Sequence, residues 1–110
     1  MKSEAESSDK VVTTAPELAQ SSLQDLQNLK DLSIEGFVAL VVSLLCDSPD
    51  DVKISVVRTP GLIVLEIVPG RHNKGRIIGK HGHTIKALKS LCRSVARGAN
   101  KNIYIEVSGE

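Results

Sequence analysis

Between Arg76 and Lys86 the chain reads Arg76-Ile77-Ile78-Gly79-Lys80-His81-Gly82-His83-Thr84-Ile85-Lys86. Two glycines stand three apart, with a cation and an imidazole between them. Glycine lacks a Cβ, so a foreign backbone can approach closely and positive φ is allowed. A glycine pair that closes a tight turn just ahead of a helix leaves backbone amides free. The helix N-terminus adds a partial positive charge, which attracts phosphate. Lys80 contributes a point charge, and His81 a donor that becomes charged at acidic pH. Arg76 and Lys86 lie about one helical turn away on either side. Ile78 and Ile85 flank the turn as apolar walls for bases. The chemistry these residue types suit is the holding of a sugar–phosphate backbone. A bare Gly-x-x-Gly is a weak signal, because a helix-ending glycine followed by a helix-starting one looks the same. Its surroundings have to carry the argument.

The distribution of charge is the first of those surroundings. The formal net charge is only +1. Residues 1–36 carry three Lys against seven acids, a balance of −4. Residues 70–102 carry nine Lys or Arg and no acid. A merely solvated helix face mixes signs, so an acid-free stretch points to an anionic partner. Phe37 and Tyr104 are the only aromatics, which argues against an aromatic base-stacking platform. Cys46 and Cys92 sit in apolar patterns with no Cys-x-x-Cys spacing, as expected of buried, reduced thiols in the cytoplasm. No secretory signal is visible, and the longest apolar run, Phe37 to Val42, is too short to span a bilayer.

The elements that must position the turn follow from periodicity. Residues 1–32 are expected to form an acidic, mostly disordered or weakly helical extension, with residues 1–15 a tail and any helix after Pro16 docking through Leu. Such an extension either solubilises the protein, the favoured reading, or folds back onto the basic face. A domain is expected over 33–110. Ser33 is a good N-cap for a helix over 34–46, apolar around most of its circumference and therefore buried on more than one side or facing a partner. Asp47-Ser48-Pro49-Asp50-Asp51 stops it. Residues 52–58 and 62–68 read as an antiparallel hairpin turning at Thr59-Pro60-Gly61. Asn73 is expected to cap a short helix over Lys74 to Ile78 or Gly79. A long helix runs from about His83 to Arg97, with Ile85, Leu88, Leu91, Cys92 and Val95 as its apolar stripe. Lys86, Lys89, Arg93 and Arg97 share its solvent face. Gly98 is expected to end it in the C′ manner. Ile103, Ile105 and Val107 alternate along a last strand.

With this context the stretch from Gly75 to Ile85 resembles the signature of a KH domain, and the element order that of the type II arrangement. Residues 34–109, including Cys46-Asp47-Ser48-Pro49-Asp50-Asp51-Val52, are similar to the small single-domain bacterial KH proteins of the KhpA family. The resemblance implies an α+β fold, α-β-β-α-α-β, with a three-stranded mixed sheet and helices packed on one face, preceded here by the extension. It implies a cytoplasmic binder of single-stranded RNA with RNA-chaperone or post-transcriptional roles. It also implies a homodimer or a heterodimer with a larger KH-containing protein of the Jag (KhpB) type, and neither a cofactor nor catalysis. A protein-interaction module with RNA binding secondary is the alternative.

Carried over, the RNA-binding residues are Arg76, Ile77, Ile78, Gly79, Lys80, His81, Gly82, His83, Thr84, Ile85 and Lys86. The loop from Gly98 to Asn102 and the strand from Ile103 form the opposite wall, and about four nucleotides fit such a groove. His83 departs from the pattern, standing where family members usually carry Arg. Other chemistries fit less well. Gly70-Arg71-His72-Asn73-Lys74-Gly75 spaces its glycines like a P-loop, but Arg76-Ile77 replaces the required Lys-Ser/Thr. His72, His81 and His83 lack an acid or thiol at ligand spacing, so no metal is expected.

Overall fold

The computed structural model describes residues 9–24 and 33–108. In chain order these are β1 (Asp9–Thr14), α1 (Ala15–Gln24), α2 (Ile34–Leu45), β2 (Lys53–Thr59), β3 (Leu62–Val68), α3 (Lys74–Ile78), α4 (His83–Gly98) and β4 (Asn102–Val107). Single 3-10 turns cover Pro49–Asp51 and Lys80–Gly82. The strands lie in the order β1-β2-β3-β4, with β1–β2 and β2–β3 antiparallel and β3–β4 parallel. A parallel pair needs a crossover between its strands. Here α3, the 3-10 turn and α4 supply it, so the glycine pair sits at the midpoint of that crossover.

Each register row shows which way the sheet faces. Val56, Leu65 and Ile105 are cross-strand partners in one row and all are buried. Ile54 and Ile67, the next row, are fully buried as well. Val38, Ala39 and Val42 of α2 and Ile85, Leu88 and Cys92 of α4 complete the core with Ile77. The Ser33 hydroxyl caps α2 as expected, accepting from Gly36 N–H at 3.0 Å. At the other end of the hairpin Arg58 donates to the buried Glu35 carboxylate, which ties β2 to the first turn of α2.

The sheet has four strands rather than the expected three. The extra one is β1, from a segment read as tail. Its Val-Val-Thr-Thr run is β-branched, but too short and too polar-flanked to signal a strand alone. It gains its hydrogen bonds from the edge of β2, in register from Asp9 opposite Arg58 to Thr14 opposite Lys53. α1 then packs on α2 through Ala15 and Ala19, with Leu18 only half-buried and Leu23 exposed. Docking thus uses small side chains as well as leucine, Leu18 packing against the edge of the core. A Cβ built at Gly36 would lie 2.2 Å from Ser22 Oγ, so the two helices meet where neither carries bulk. Ala15 N–H also donates to Val52 O at 3.0 Å, and Glu17 N–H to Thr14 Oγ1 at 3.3 Å, which caps α1. The described part of the extension lies on α2 and β2, not on the basic face. Leu26, Leu29 and Leu32 lie outside the described residues. Among those residues no helix is long and apolar enough to cross a membrane.

Two further expectations change. The inward line of α4 is Ile85, Leu88, Cys92 and Ala96, whereas Leu91 and Val95 are exposed. Both lines have helical spacing, and only the position of the sheet selects between them. The helix also runs through Gly98, and the left-handed residue beyond it is Asn100, at φ 59°. Asn100 N–H donates to Arg97 O at 3.0 Å and Lys101 N–H to Ala96 O at 2.8 Å, closing the helix end.

Candidate nucleic-acid interface

α3 ends on Gly79, whose N–H donates to Gly75 O at 2.8 Å. At φ 79° and ψ 171°, Gly79 leaves the helical region in a conformation restricted to glycine. The chain then takes one 3-10 turn through Lys80, His81 and Gly82. His81 is held at φ 57° and Gly82 at φ 74°. Gly82 N–H donates to Gly79 O at 3.1 Å, and His83 N–H to Lys80 O. The amides of Lys80 and His81 enter no backbone hydrogen bond with another described residue. α4 starts at once, and Thr84 folds its hydroxyl over Gly79, where a Cβ would lie 2.1 Å from Oγ1.

The side chains around this turn separate into three roles. Lys80, His81 and His83 are exposed, and the two imidazoles lie 5.9 Å apart with tilted rings. Lys86 is exposed one turn along α4, its Cε being the nearest atom, at 3.8 Å, to a Cβ built on Gly82. Ile77 is fully buried and Ile85 nearly so, so both support the turn from the core side. Of the apolar flank only Ile78 is partly open to solvent. Arg76 is exposed, but its guanidinium donates to Asp47 Oδ2 at 3.0 Å. Asn73 does not cap α3. It is buried, and its Nδ2 donates to Ser48 O and Pro69 O, each at 3.0 Å.

The basic surface continues beyond Lys86. Arg93, Arg97, Lys101, Asn102 and Ile103 line a cleft of about 110 Å3 between the end of α4 and the start of β4. The i, i+4 spacing of Arg93, Arg97 and Lys101 was the signal for this extension, and the candidate stretch from Arg76 to Lys86 stops short of it. On the other side of α4 a groove of about 360 Å3 runs against α2, lined by Val41, Leu45, His83, Thr84, Ala87, Leu88 and Leu91. It touches the turn at His83 and Thr84 and is otherwise apolar.

Among the described residues no cluster of His, Cys, Asp or Glu has the arrangement of a metal site. Burial pushes the Cys92 thiol up to about 11. The Cys46 thiol is raised first by burial and then by the Asp47 carboxylate, with Arg76 opposing. Neither thiol is thereby a nucleophile at neutral pH.

A family model for the KH domain of KhpA/KhpB proteins matches residues 35–107. The RNA-binding protein KhpA of Chlamydia trachomatis serovar D is 36% identical over 77 residues, covering 70% of this chain and 99% of the relative. Its counterpart in Clostridium perfringens is 30% identical over 74 residues, covering 67% and 99%. That of Bacillus subtilis is 27% identical over 79 residues, covering 72% and 98%. No solved structure matches significantly.

Proposed function

The chain belongs to the KhpA/KhpB KH-domain family, and on that premise we propose that it binds single-stranded RNA, with the turn from Gly79 to Gly82 clamping the sugar–phosphate backbone. The observation that supports this best is the pair of amides at Lys80 and His81. Among the described residues they have no backbone partner, and they lie between two glycines of positive φ, just ahead of α4. The amides, the start of α4 and the Lys80 cation belong to one turn, and phosphate is a ligand that would satisfy all three. The path continues along Lys86 to the cleft at Arg93, Arg97 and Lys101. Ile78 and Ile103 offer apolar contact to bases, with no aromatic platform to read them. Weak sequence discrimination follows, which suits a chaperone or post-transcriptional role rather than recognition of one site. The protein acts by binding, not catalysis.

Replacing Lys80 and His81 together by Asp puts carboxylates where phosphates would lie. Both residues are exposed, so the fold should survive. The expected result is loss of binding to a short single-stranded RNA in fluorescence anisotropy, with an unchanged thermal melt. Retained binding would remove the turn from the site.

A second reading concerns association. Leu44, Leu91 and Val95 are 79%, 56% and 55% exposed beside the apolar groove between α2 and α4. Exposed side chains of this size, grouped along a groove, mark a contact surface. We assign it to a second KH domain, either another copy of this chain or that of a larger KhpB-type protein. Two linked copies would raise avidity for RNA without new contacts to it.

A further inference from the structure

We propose that Asp47 competes with RNA phosphate for Arg76, so that this carboxylate sets how tightly the Gly79–Gly82 turn grips its ligand. The inference rests on the RNA-binding reading above and deepens it. Residues 70–102 hold no acid, yet the fold brings one to them. Asp47 lies two residues past the end of α2, and its Oδ2 accepts from Arg76 Nη2 at 3.0 Å across 29 positions of sequence. Arg76 lies in the short helix that leads into the turn, three residues before Gly79. The guanidinium closest to the turn on that side is therefore already paired.

The frame that makes this pair is fixed. Asn73, next to the start of α3, is 1% exposed and donates to Ser48 O and Pro69 O. Ser48 O also accepts from Asp51 N–H at 3.1 Å, in the 3-10 turn that begins at Pro49. The residue after Asp47 is thus pinned to the residue before α3, and the carboxylate and guanidinium meet over a rigid junction.

The pair itself is open to water, the side chains being 59% exposed for Arg76 and 78% for Asp47. Exposed ion pairs add little to stability, so this one is not needed to hold the fold. It does engage one arm, Nη2, of the planar N–H fork that Arg would offer a phosphate. RNA must exchange one charge-assisted hydrogen bond for another there, and it meets an uncompensated carboxylate once the exchange is made. Arg76 then contributes less to binding than its charge would suggest.

The test measures anisotropy of a short single-stranded RNA over a salt series. It compares the full chain with Asp47→Asn, Arg76→Gln, the two combined, and the Lys80→Asp/His81→Asp variant. Asp47→Asn should bind about two- to fivefold tighter at low salt, the range of an exposed pair. Its log–log salt slope should steepen by ~0.7, one added phosphate contact. Arg76→Gln should weaken binding and remove most of the Asp47→Asn gain. Asp47→Ser serves as a second variant should Asn alter the thermal melt. Unchanged or weaker binding by both neutral variants overturns the proposal, as does an equal gain in the Arg76→Gln background. If those results come with binding abolished by Lys80→Asp/His81→Asp, only the competitor is lost and the clamp stands. Binding indifferent to Lys80→Asp/His81→Asp overturns the clamp, and this proposal with it.

Discussion

At Gly79 the backbone takes φ 79° and ψ 171°, while at Gly82 it takes φ 74° and ψ 13°. The first conformation is essentially confined to glycine; the second is the left-handed helical region, which Asn tolerates. Their surroundings differ in the same direction. A Cβ on Gly79 would strike Thr84 at Oγ1, Cβ and N, at 2.1, 2.6 and 2.9 Å. A Cβ on Gly82 would meet only Lys86 Cε, at 3.8 Å. Gly79→Ala should therefore combine backbone strain with overpacking and cost about 3 kcal/mol or more. Gly82→Ala should cost ~1–2 kcal/mol, and Gly82→Asn less. Urea denaturation of the three variants checks this, and equal losses at the two alanine positions would contradict it. The turn's pattern was plain in the sequence because glycine's permissiveness is a local property. That Thr84 supplies the steric reason for Gly79 was not, since it depends on how the first turn of α4 folds back over α3. Likewise Ile77 and Ile78 look alike in sequence, yet one is core and the other partly open to solvent.

Among the elements, the junction of α1 with α2 depends on absent bulk. Gly36 faces Ser22 so closely that a built Cβ would lie 2.2 Å from Oγ and 2.5 Å from Cβ, with Ser33 Oγ at 3.0 Å. Gly36→Ala should thus push α1 outward and destabilise the protein by ~1–3 kcal/mol. Ser22→Gly in the same chain should recover part of that loss. Limited proteolysis between residues 15 and 24 reads the displacement directly. Cleavage no faster than in the parent chain would mean that the helices do not meet there. The hairpin, the Ser33 cap and the alternation of Ile103, Ile105 and Val107 were all legible, because period and capping act over a few neighbours. β1 was not legible. An edge strand is half solvated and can be polar, and its pairing is specified by the free edge of β2 rather than by its own pattern.

For the whole molecule, the glycine turn lies between two different surfaces. One carries Lys86, Arg93, Arg97 and Lys101 toward the cleft at β4; the other is the apolar groove between α2 and α4. Leu91 projects from the second at 56% exposure, so Leu91→Asp should leave the urea midpoint nearly unchanged. It should convert a self-associated species to monomer in sedimentation velocity and lower RNA avidity. An unaltered association state would exclude this face as the contact between copies of this chain. The sequence by itself determined the element order of the KH core, the acid-free basic segment, the glycine turn and its place between strand and helix. These rest on composition, capping and periods that span a few residues. Tertiary structure alone decided that β1 joins the sheet and that Ala96 rather than Leu91 or Val95 faces inward. It also decided that Arg76 meets Asp47. Each of these is a choice between locally equivalent options, and each was made by a surface distant in sequence: the edge of β2, the core-facing side of the sheet, and the end of α2.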